Sequence, residues 1–491
     1  MGKLFTFNIA FFACLGSFLF GYDSGVMTDV IASKHFLGYF DTTSDSPILG
    51  AIVSTFAGGA VFGALSGGYT MDRLGRRVSI QIGAVVCVIG AILQAASTHL
   101  AMMLVGRIIT GWAVGIMSSA VPVYCAELAH PKRRGFLVGL SQQMIGLGFI
   151  VSTWVGYGSA HASDHSSFQW RFPLAFQGVP AGILAIGLTW FPESPRQLIE
   201  KDNEDEALRI LKKLHANGRN DEWIMSEFNE IRQTILAEKA LVVRSWSVMF
   251  TVPQWRNRLM HGVMVQVFTQ LTGINVINYY QTQMYEALGI TGKKALLVSG
   301  LYNIVGPVTN AFFIFFLIDR VGRRKPLLFG TIGISLCLIV EAVLNSKNPD
   351  GENESLSRAG VAMIFLVSMV FSVSFGPISW TYMSEVMPMQ IRGNGNAFAT
   401  GIGNWLVNVL FSQVSPQALA KLKWKYYFVF VAFNFVVTLP TVFFVFKETK
   451  GVSLEEIDLL FGERALGSLP NDIEKEQNVH IEHDGKRDTT A

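Results

Sequence analysis

The chain has 491 residues, half of them apolar and only 15% charged, with a mean hydropathy of +0.38 and a formal net charge of +3. A soluble domain carries about a quarter charged residues, so this composition excludes an ordinary cytosolic protein. So small a net charge gives no electrostatic reason to bind nucleic acid.

A helix that crosses a bilayer needs about 20 mostly apolar residues, each rising about 1.5 Å. Twelve such runs occur, near residues 7–29, 48–70, 78–98, 101–125, 136–158, 172–192, 258–287, 293–318, 326–345, 359–386, 394–420 and 424–446. Their length, and the bilayer's demand for satisfied backbone groups, make them helices. The first run lacks a small-residue cleavage site and continues into Tyr22 and Asp23, so it reads as a span rather than a signal peptide. Gly59, Gly63 and Gly67 in the second run, and Gly111 and Gly115 in the fourth, recur every fourth residue and predict close helix packing. Cys14, Cys87, Cys125 and Cys337 all lie inside apolar runs, with no spacing for a metal or a disulfide framework, and read as core packing.

Between the sixth and seventh runs lies one long polar segment, 193–255. Ser194, Pro195 and Gln197 signal a helix start there. Ile224, Phe228, Ile231 and Ile235 form an apolar stripe on a charged background, which predicts short amphipathic helices rather than a separate domain. After Ser453 and Glu456, a second capping pair, the tail beyond about Gly462 is polar and predicted to be disordered. The division expected is 1–192 for a first six-helix bundle, 193–255 for a cytoplasmic linker, 256–446 for a second bundle and 447–491 for a cytoplasmic tail.

Lysine and arginine orient the chain. The loops at 72–77, 130–134 and 320–325 are dense in them, which places those loops, the linker and both termini in the cytoplasm, although Lys293, Lys294, Lys421, Lys423 and Lys425 fall on the other side. Asn353-Glu354-Ser355 then lies in an outer loop, where a glycosylation acceptor belongs.

The two halves repeat one another. Asp72-Arg73-Leu74-Gly75-Arg76-Arg77 returns as Asp319-Arg320-Val321-Gly322-Arg323-Arg324. Tyr124, Glu127, Arg134 and Gly135 return as Tyr382, Glu385, Arg392 and Gly393, and Pro192-Glu193-Ser194 is echoed by Lys447-Glu448-Thr449. These charged sets read as a gate. Arg73, Arg77 and Arg134, with Asp72 in the same gating set, would meet Glu127 and Glu193, and Arg320, Arg324 and Arg392 would meet Glu385 and Glu448, holding one end of the molecule shut. The plainer reading is that the arginines only keep the spans oriented.

Span seven is far more polar than a lipid-facing helix tolerates, with Gln270, Asn275, Asn278, Tyr279, Tyr280 and Gln281. At about 100° per residue, Gln270, Asn278 and Gln281 share a face, while Asn275 lies about 140° from Gln270. Both could touch one ligand only if the helix breaks, and Gly273 is the place for that. Carboxamides donate and accept without a charge to desolvate, and aromatic rings suit C–H faces, which is what a sugar asks of its site. Bonding from helix to helix is the competing use of such amides. Asp23, near the centre of the first span, costs roughly 2.5–3.5 kcal/mol on insertion, so it requires a partner, for which Arg107 is the candidate, or a purpose.

Together these residues resemble the sugar porters of the major facilitator superfamily. The matching elements are Gly21-Tyr22-Asp23, both Asp-Arg-x-Gly-Arg-Arg loops, Gly106-Arg107, Glu127 through Gly135, and Pro192-Glu193-Ser194-Pro195-Arg196. Gln270-Leu271-Thr272-Gly273-Ile274-Asn275, Gly376-Pro377 with Trp380, Asn404-Trp405 and Glu448-Thr449-Lys450-Gly451 match as well. The wording of span one and His130-Pro131 is similar to fungal members. The resemblance implies two pseudo-symmetric six-helix bundles, all-α, rocking about a central site. It implies that Gln142, Gln270, Asn275, Trp380, Asn404 and Asn408 line that site, and the polarity of span seven itself adds Asn278 and Tyr280 as candidates. Span eight supplies one asparagine in the family, and here Asn303 and Asn310 compete. The chain departs from the pattern where Lys447 replaces a proline, where Pro131 is displaced by one, and where Ser372 stands in place of a glutamate.

The resemblance also implies that Asp23, with Arg107, couples a proton to sugar movement. The function expected is a monosaccharide (hexose or pentose) transporter of the plasma membrane, a sugar:proton symporter, acting as a monomer with no cofactor. A facilitative uniporter and a non-transporting sugar receptor are the alternatives. With no metal cluster, nucleophile–base pairing or phosphate loop in the sequence, it does not read as an enzyme.

Overall fold

In the computed structural model the described residues are 2–129, 134–163, 165–215, 221–241, 246–349, 351–388, 391–450, 457, 460 and 461. The side chains of Asp72, Arg134 and Asp319, the pair His130-Pro131, the pair Ser453 and Glu456, and the tail from Gly462 lie outside them. Among the described residues the regular structure is helical throughout.

Among the described residues, nine helices are long and apolar enough to cross a membrane: Phe5–Val30, Pro47–Met71, Arg76–Ala95, Leu100–Leu128, Phe168–Trp190, Lys293–Phe316, Arg324–Lys347, Glu354–Val386 and Arg392–Phe444. The last runs 53 residues, far beyond one crossing, and turns at Lys423, whose φ of +50° no continuous helix accommodates. It therefore has room for two of the expected spans. Arg134–Ser159, and Pro253–Leu271 with Ile274–Ala287, fall where the fifth and seventh spans are expected, so the helices are consistent with twelve. The chain is a multi-pass membrane protein.

The glycine ladders of spans two and four pack on each other. A Cβ on Gly63 would come within 2.8 Å of Gly115 Cα, and one on Gly115 within 2.7 Å of Gly63 Cα. Lipid offers no hydrophobic force between helices, so this close backbone approach supplies the contact.

The linker folds as expected of its stripe. Ile224, Phe228 and Ile235 bury against Ile199, Ala207 and Leu211 in a small core of their own, with Ile231 packed beside it. That core is tied to the bundle by His215, whose ring nitrogens face Glu227 Oε2 at 2.9 Å and the Leu128 carbonyl at 3.2 Å. Thr6 adds a bond from the first span to the Leu214 carbonyl. The helix Pro195–Glu200 begins where Ser194 signalled, but the Ser194 side chain makes no cap. Its backbone N–H is instead satisfied by Glu193 Oε1 at 3.1 Å.

The halves seal against each other at the end opposite the charged loops. Thr28 Oγ1 donates to the Asn278 carbonyl (2.7 Å), Ser54 Oγ to Gln413 Oε1 (2.7 Å), Gln413 Nε2 to the Pro47 carbonyl (3.1 Å) and Gln283 Nε2 to the Ser44 carbonyl (3.1 Å). Each joins a residue of the first half to one of the second.

At the charged end the pairing differs from the expectation by one residue. Arg76, not Arg73 or Arg77, pairs with Glu127 at 3.1 Å and with Glu200 at 3.0 Å. In the second half Arg323, not Arg320 or Arg324, holds Glu385 at 2.7 Å. The reason is the left-handed glycine before each arginine, Gly75 (φ +109°) and Gly322 (φ +86°), which turns the chain so that the first arginine of each pair points inward. Glu193 accepts from the Arg77 N–H, and Glu448 from the N–H groups of Arg323 and Arg324. The side chains of Arg77 and Arg324 reach the carbonyls of Phe191 and Val442. Arg73 stacks on Tyr69, Arg320 is exposed, and Arg392 bonds the Met387 carbonyl. These ion pairs join parts of one half, or at Glu200 that half to the linker, rather than one half to the other.

The departure at Lys447 has a local consequence. Tyr124 donates to the Pro192 carbonyl (2.6 Å), whereas the Lys447 N–H, absent in a proline, donates to Tyr382 OH (3.2 Å). Because the Arg76 and Glu127 side chains are only 9% and 10% exposed, Arg76→Ala strands a buried carboxylate. It is expected to cost about 3 kcal/mol, read as a lowered unfolding temperature in detergent, while Arg73→Ala leaves that temperature unchanged.

Candidate functional site

Span seven is broken as its polarity required. The helix ends at Leu271 and resumes at Ile274, with Gly273 at φ +82° between the two pieces. Span ten is broken as well, one piece ending at Ser372 and the next beginning at Phe375. Span eleven passes through a π-helical stretch, Ala399–Leu406, in which the widened turn carries Asn404. Irregular backbone at membrane depth is tolerated where it lines a cavity or is buried in protein, and a cavity lies here.

The cavity measures about 120 Å³ and lies between the halves. Its polar wall comes from Gln142 of span five, Asn278 of span seven, Tyr302, Asn303 and Asn310 of span eight, and Ser368 and Ser372 of span ten. Ile145, Phe149, Ile274 and Phe371 supply the apolar wall. Among the described residues that line it, none is charged. A larger depression of about 830 Å³ runs along one face of the linker helix Asp221–Leu241. It is wide open and built from a single helix, so it brings no groups together around a ligand.

Beside the cavity an amide chain crosses the break in span seven. Asn275 Nδ2 donates to Gln270 Oε1 at 2.6 Å, and Gln270 Nε2 donates to Asn404 Oδ1. The two residues separated by about 140° on an unbroken helix are thus brought together. Asn408 Nδ2 donates to Tyr279 OH (3.2 Å), and Tyr302 OH donates to Asn278 Oδ1 (3.0 Å).

Of the residues read from sequence as substrate-binding, Gln142, Asn278 and Asn303 line the cavity. Gln270, Asn275 and Asn404 form the amide chain, and Asn408 joins Tyr279. Tyr280 is placed elsewhere. It is fully buried, and its hydroxyl donates to the Ser412 carbonyl at 2.7 Å, because the backbone departs from helix at this residue and turns the ring toward span eleven. Trp380 packs half-buried against the core and is not part of the cavity wall. Asn303 and Asn310, which compete in the sequence, both border the cavity. Ser368, Tyr302 and Phe149 were missed; the legible signal was Asn303, Gly306 and Asn310 recurring on one face of span eight.

Asp23 is fully buried, but Arg107 does not take its carboxylate. The guanidinium donates to the Asp23 main-chain carbonyl (3.3 Å) and to the Ile52 carbonyl (3.2 Å), and lies 4.6 Å over the Phe56 ring. Asp23 Oδ2 receives a long bond from Cys87 Sγ (3.6 Å), while Oδ1 and Arg107 Nη2 have no hydrogen-bond partner. Cys87, read as packing, thus also touches the acid. Asn353 is exposed, and its Oδ1 caps the helix that begins at Glu354.

Gly273 is open to a direct check. A Cβ there would sit 3.0 Å from the Phe430 ring in a left-handed conformation, whereas Gly292, also at positive φ, faces open space. Left-handed geometry costs an L-residue about 1–2 kcal/mol. Gly273→Ala is expected to lower thermal stability by more than this backbone cost alone, the surplus coming from the ring contact and read as a lowered unfolding temperature in detergent.

The family model described as "Sugar (and other) transporter" matches residues 9–461. Among curated relatives, the MFS-type transporter criB of Aspergillus cristatus is 40% identical over 462 residues, covering 94% of each chain. A high-affinity glucose transporter of Kluyveromyces lactis is 33% identical, covering 92% of this chain and 84% of its own. A probable quinate permease of Aspergillus flavus is 32% identical, covering 97% of this chain and 92% of its own. Among solved structures, the proton:xylose symporter XylE bound to 6-bromo-6-deoxy-D-glucose superposes with a TM-score of 0.78 at 26% identity, over 94% of this chain and all of that one. With its helical bundles, its uncharged cavity and this match over nearly its whole length, the chain belongs to the sugar (and other) transporter family of the major facilitator superfamily.

Proposed function

We propose that the protein carries a neutral monosaccharide, a hexose or pentose, across the plasma membrane by alternating access, and that a proton accompanies the sugar. The observation that carries this reading is the cavity of amides and hydroxyls between the halves, without a charged group among the described residues of its wall. Relatives named for glucose and for quinate divide on charge. Quinate brings a carboxylate, and burying one without a cationic partner is costly, so the wall favours the neutral sugar. The seal at one end supports an inward-facing form, with the charged loops, the linker and both termini on the cytoplasmic side and Asn353 outside. The buried Asp23 beside Arg107 supports a proton site, as does the likeness to a protein named a proton:xylose symporter.

Uptake of radiolabelled glucose by cells expressing the protein tests this. Accumulation that a protonophore abolishes and that excess xylose, but not quinate, competes away is the expected result. Uptake indifferent to the protonophore would reassign the protein as a uniporter, and binding without uptake as a receptor.

A further inference from the structure

Span nine runs from the charged loop at Arg324 to the sealed end at Lys347, and Glu341 lies about 9 Å before that end at 1.5 Å per residue. It is fully buried, and among the described residues neither carboxyl oxygen has a hydrogen-bond partner. A glutamate is almost never fully buried unless paired, and an ionisable residue inside a span marks a function before it marks packing. Its surroundings offer no pair. The titratable groups that face it are two buried phenols, Tyr285 of span seven and Tyr427 of span twelve. Glu286, Lys347, Glu354, Arg358, Lys423 and Lys425, at or beside this end of spans seven, nine, ten and twelve, are all exposed. Arg358 pairs with Glu354 at 2.6 Å. An ionised carboxylate buried without a cation or a donor is costly, so the acid fits this place only in its neutral form.

What covers the carboxyl is the second piece of span seven. Span ten approaches at Gly360, where a Cβ would lie 2.9 Å from Glu341 Oε2 and 3.0 Å from Leu288 Cδ2. The residue just after Ile274–Ala287 thus meets the acid at one point, and Tyr285 belongs to the same piece. That piece also makes the seal. Its Asn278 carbonyl accepts from Thr28, Thr282 Oγ1 donates to the Thr28 carbonyl (3.4 Å), and Gln283 Nε2 donates to the Ser44 carbonyl. Glycines at positive φ stand beyond both of its ends, Gly273 at +82° and Gly289 at +80°, where the backbone turns without steric cost. A motion of this piece that breaks the seal also uncovers Glu341 to water on that side.

We propose that Glu341 is a proton-binding site separate from Asp23, and that this piece of span seven closes over it once a carboxylate oxygen has taken a proton from water on the sealed side. Uncovered, the acid meets water and ionises; covered, it keeps the proton. Acid on that side therefore favours the sealed form and alkali the open one. With one proton bound in the sealed form and none in the open form, the ratio of the two changes about tenfold per pH unit. The inference rests on the transport reading, since it needs the halves to part at the sealed end. It adds a response to pH that does not pass through Asp23.

The test uses the full chain in proteoliposomes, with spin labels on Asp45→Cys and Lys294→Cys, exposed positions of the two halves at the sealed end. Cys337, the half-buried native cysteine, is replaced by serine in every sample. The distance distribution between the labels, measured over a series of pH values, gives the ratio of open to sealed forms. Glu341→Gln keeps the shape of the neutral acid and cannot titrate. Its ratio is expected to vary with pH less steeply than that of the protein with Glu341, by about tenfold per pH unit. Glu341→Met, apolar and of similar size, should show the same flattening and keeps the test decisive if the amide folds poorly. Equal slopes with Glu341 and in a folded variant would overturn the switch, and exchange of labelled glucose in the same liposomes would leave the transport reading standing. Protein with Glu341 that neither exchanges glucose nor shows a second distance at any pH would overturn both.

Discussion

Asp23→Asn is expected to abolish concentrative uptake while sparing exchange of sugar down its gradient. The asparagine has nearly the same shape and can still accept from Cys87, so packing in the first span is retained, but it cannot bind and release a proton at any working pH. What is lost is the coupling energy. A proton entering down 100 mV supplies about 2.3 kcal/mol, and each pH unit about 1.4 more. Together these permit several-hundred-fold accumulation, and without them accumulation stops at the external concentration.

The geometry supports a switch rather than a fixed salt bridge. In this form Arg107 reaches the Asp23 carbonyl and not its carboxylate. If the rocking of the halves brings the guanidinium onto the carboxylate in another form, the acid meets a charge in one state and none in the other. That alternation is what proton coupling requires. Undiminished accumulation of labelled sugar by Asp23→Asn in intact cells, with the membrane potential maintained, would remove the acid from any such role.

Gln270→Ala should weaken sugar binding by about two orders of magnitude without disturbing membrane insertion. Gln270 is the middle of a three-amide chain: its oxygen receives Asn275 across the break in span seven, and its nitrogen donates to Asn404 in the π-helical stretch of span eleven. Truncation removes an amide that a bound sugar would meet and lets Asn275 and Asn404 leave the positions it holds them in, so ligand hydroxyls lose partners in the complex at about 1–3 kcal/mol each. A combined loss near 3 kcal/mol corresponds to about a hundredfold in affinity. The bundle should survive, because the spans are held by glycine contacts and by the seal at the far end, neither of which includes Gln270. Equilibrium binding of labelled glucose to purified protein reads the effect directly. An affinity equal to the wild type's would show that the chain only fastens helices to one another.

Much of this was legible in the residues because each signal was local or periodic. A run of apolar residues long enough to cross a bilayer declares a span without reference to any other, and the repeated Asp-Arg-x-Gly-Arg-Arg loops declare two halves. The break at Gly273 was legible for the same reason: two amides that cannot share a face on a straight helix, with a glycine between them, leave the chain little choice. Other placements depended on where the elements meet. Tyr280 looked like a ligand from its neighbours on span seven, yet its hydroxyl is taken by the Ser412 carbonyl of span eleven, a partner that adjacency along one helix cannot disclose. The arginine that pairs with the glutamate was misplaced by one because a charge count sees three arginines per loop, while the turn at Gly75 or Gly322 admits one inward.

The amino-acid order alone offered apolar runs for twelve crossings and a repeated set of charged loops, and it put carboxamides at membrane depth together with the charges of Asp23 and Arg107. Those are properties of single segments, set by apolar length, by the cost of burying a charge and by backbone satisfaction. Which amides face the cavity, which bond to one another, and whether Arg107 touches the Asp23 carboxylate or its carbonyl were decided only when the helices packed. A hydrogen bond is won or lost over a few tenths of an ångström between spans hundreds of residues apart, and no spacing within one span contains that distance.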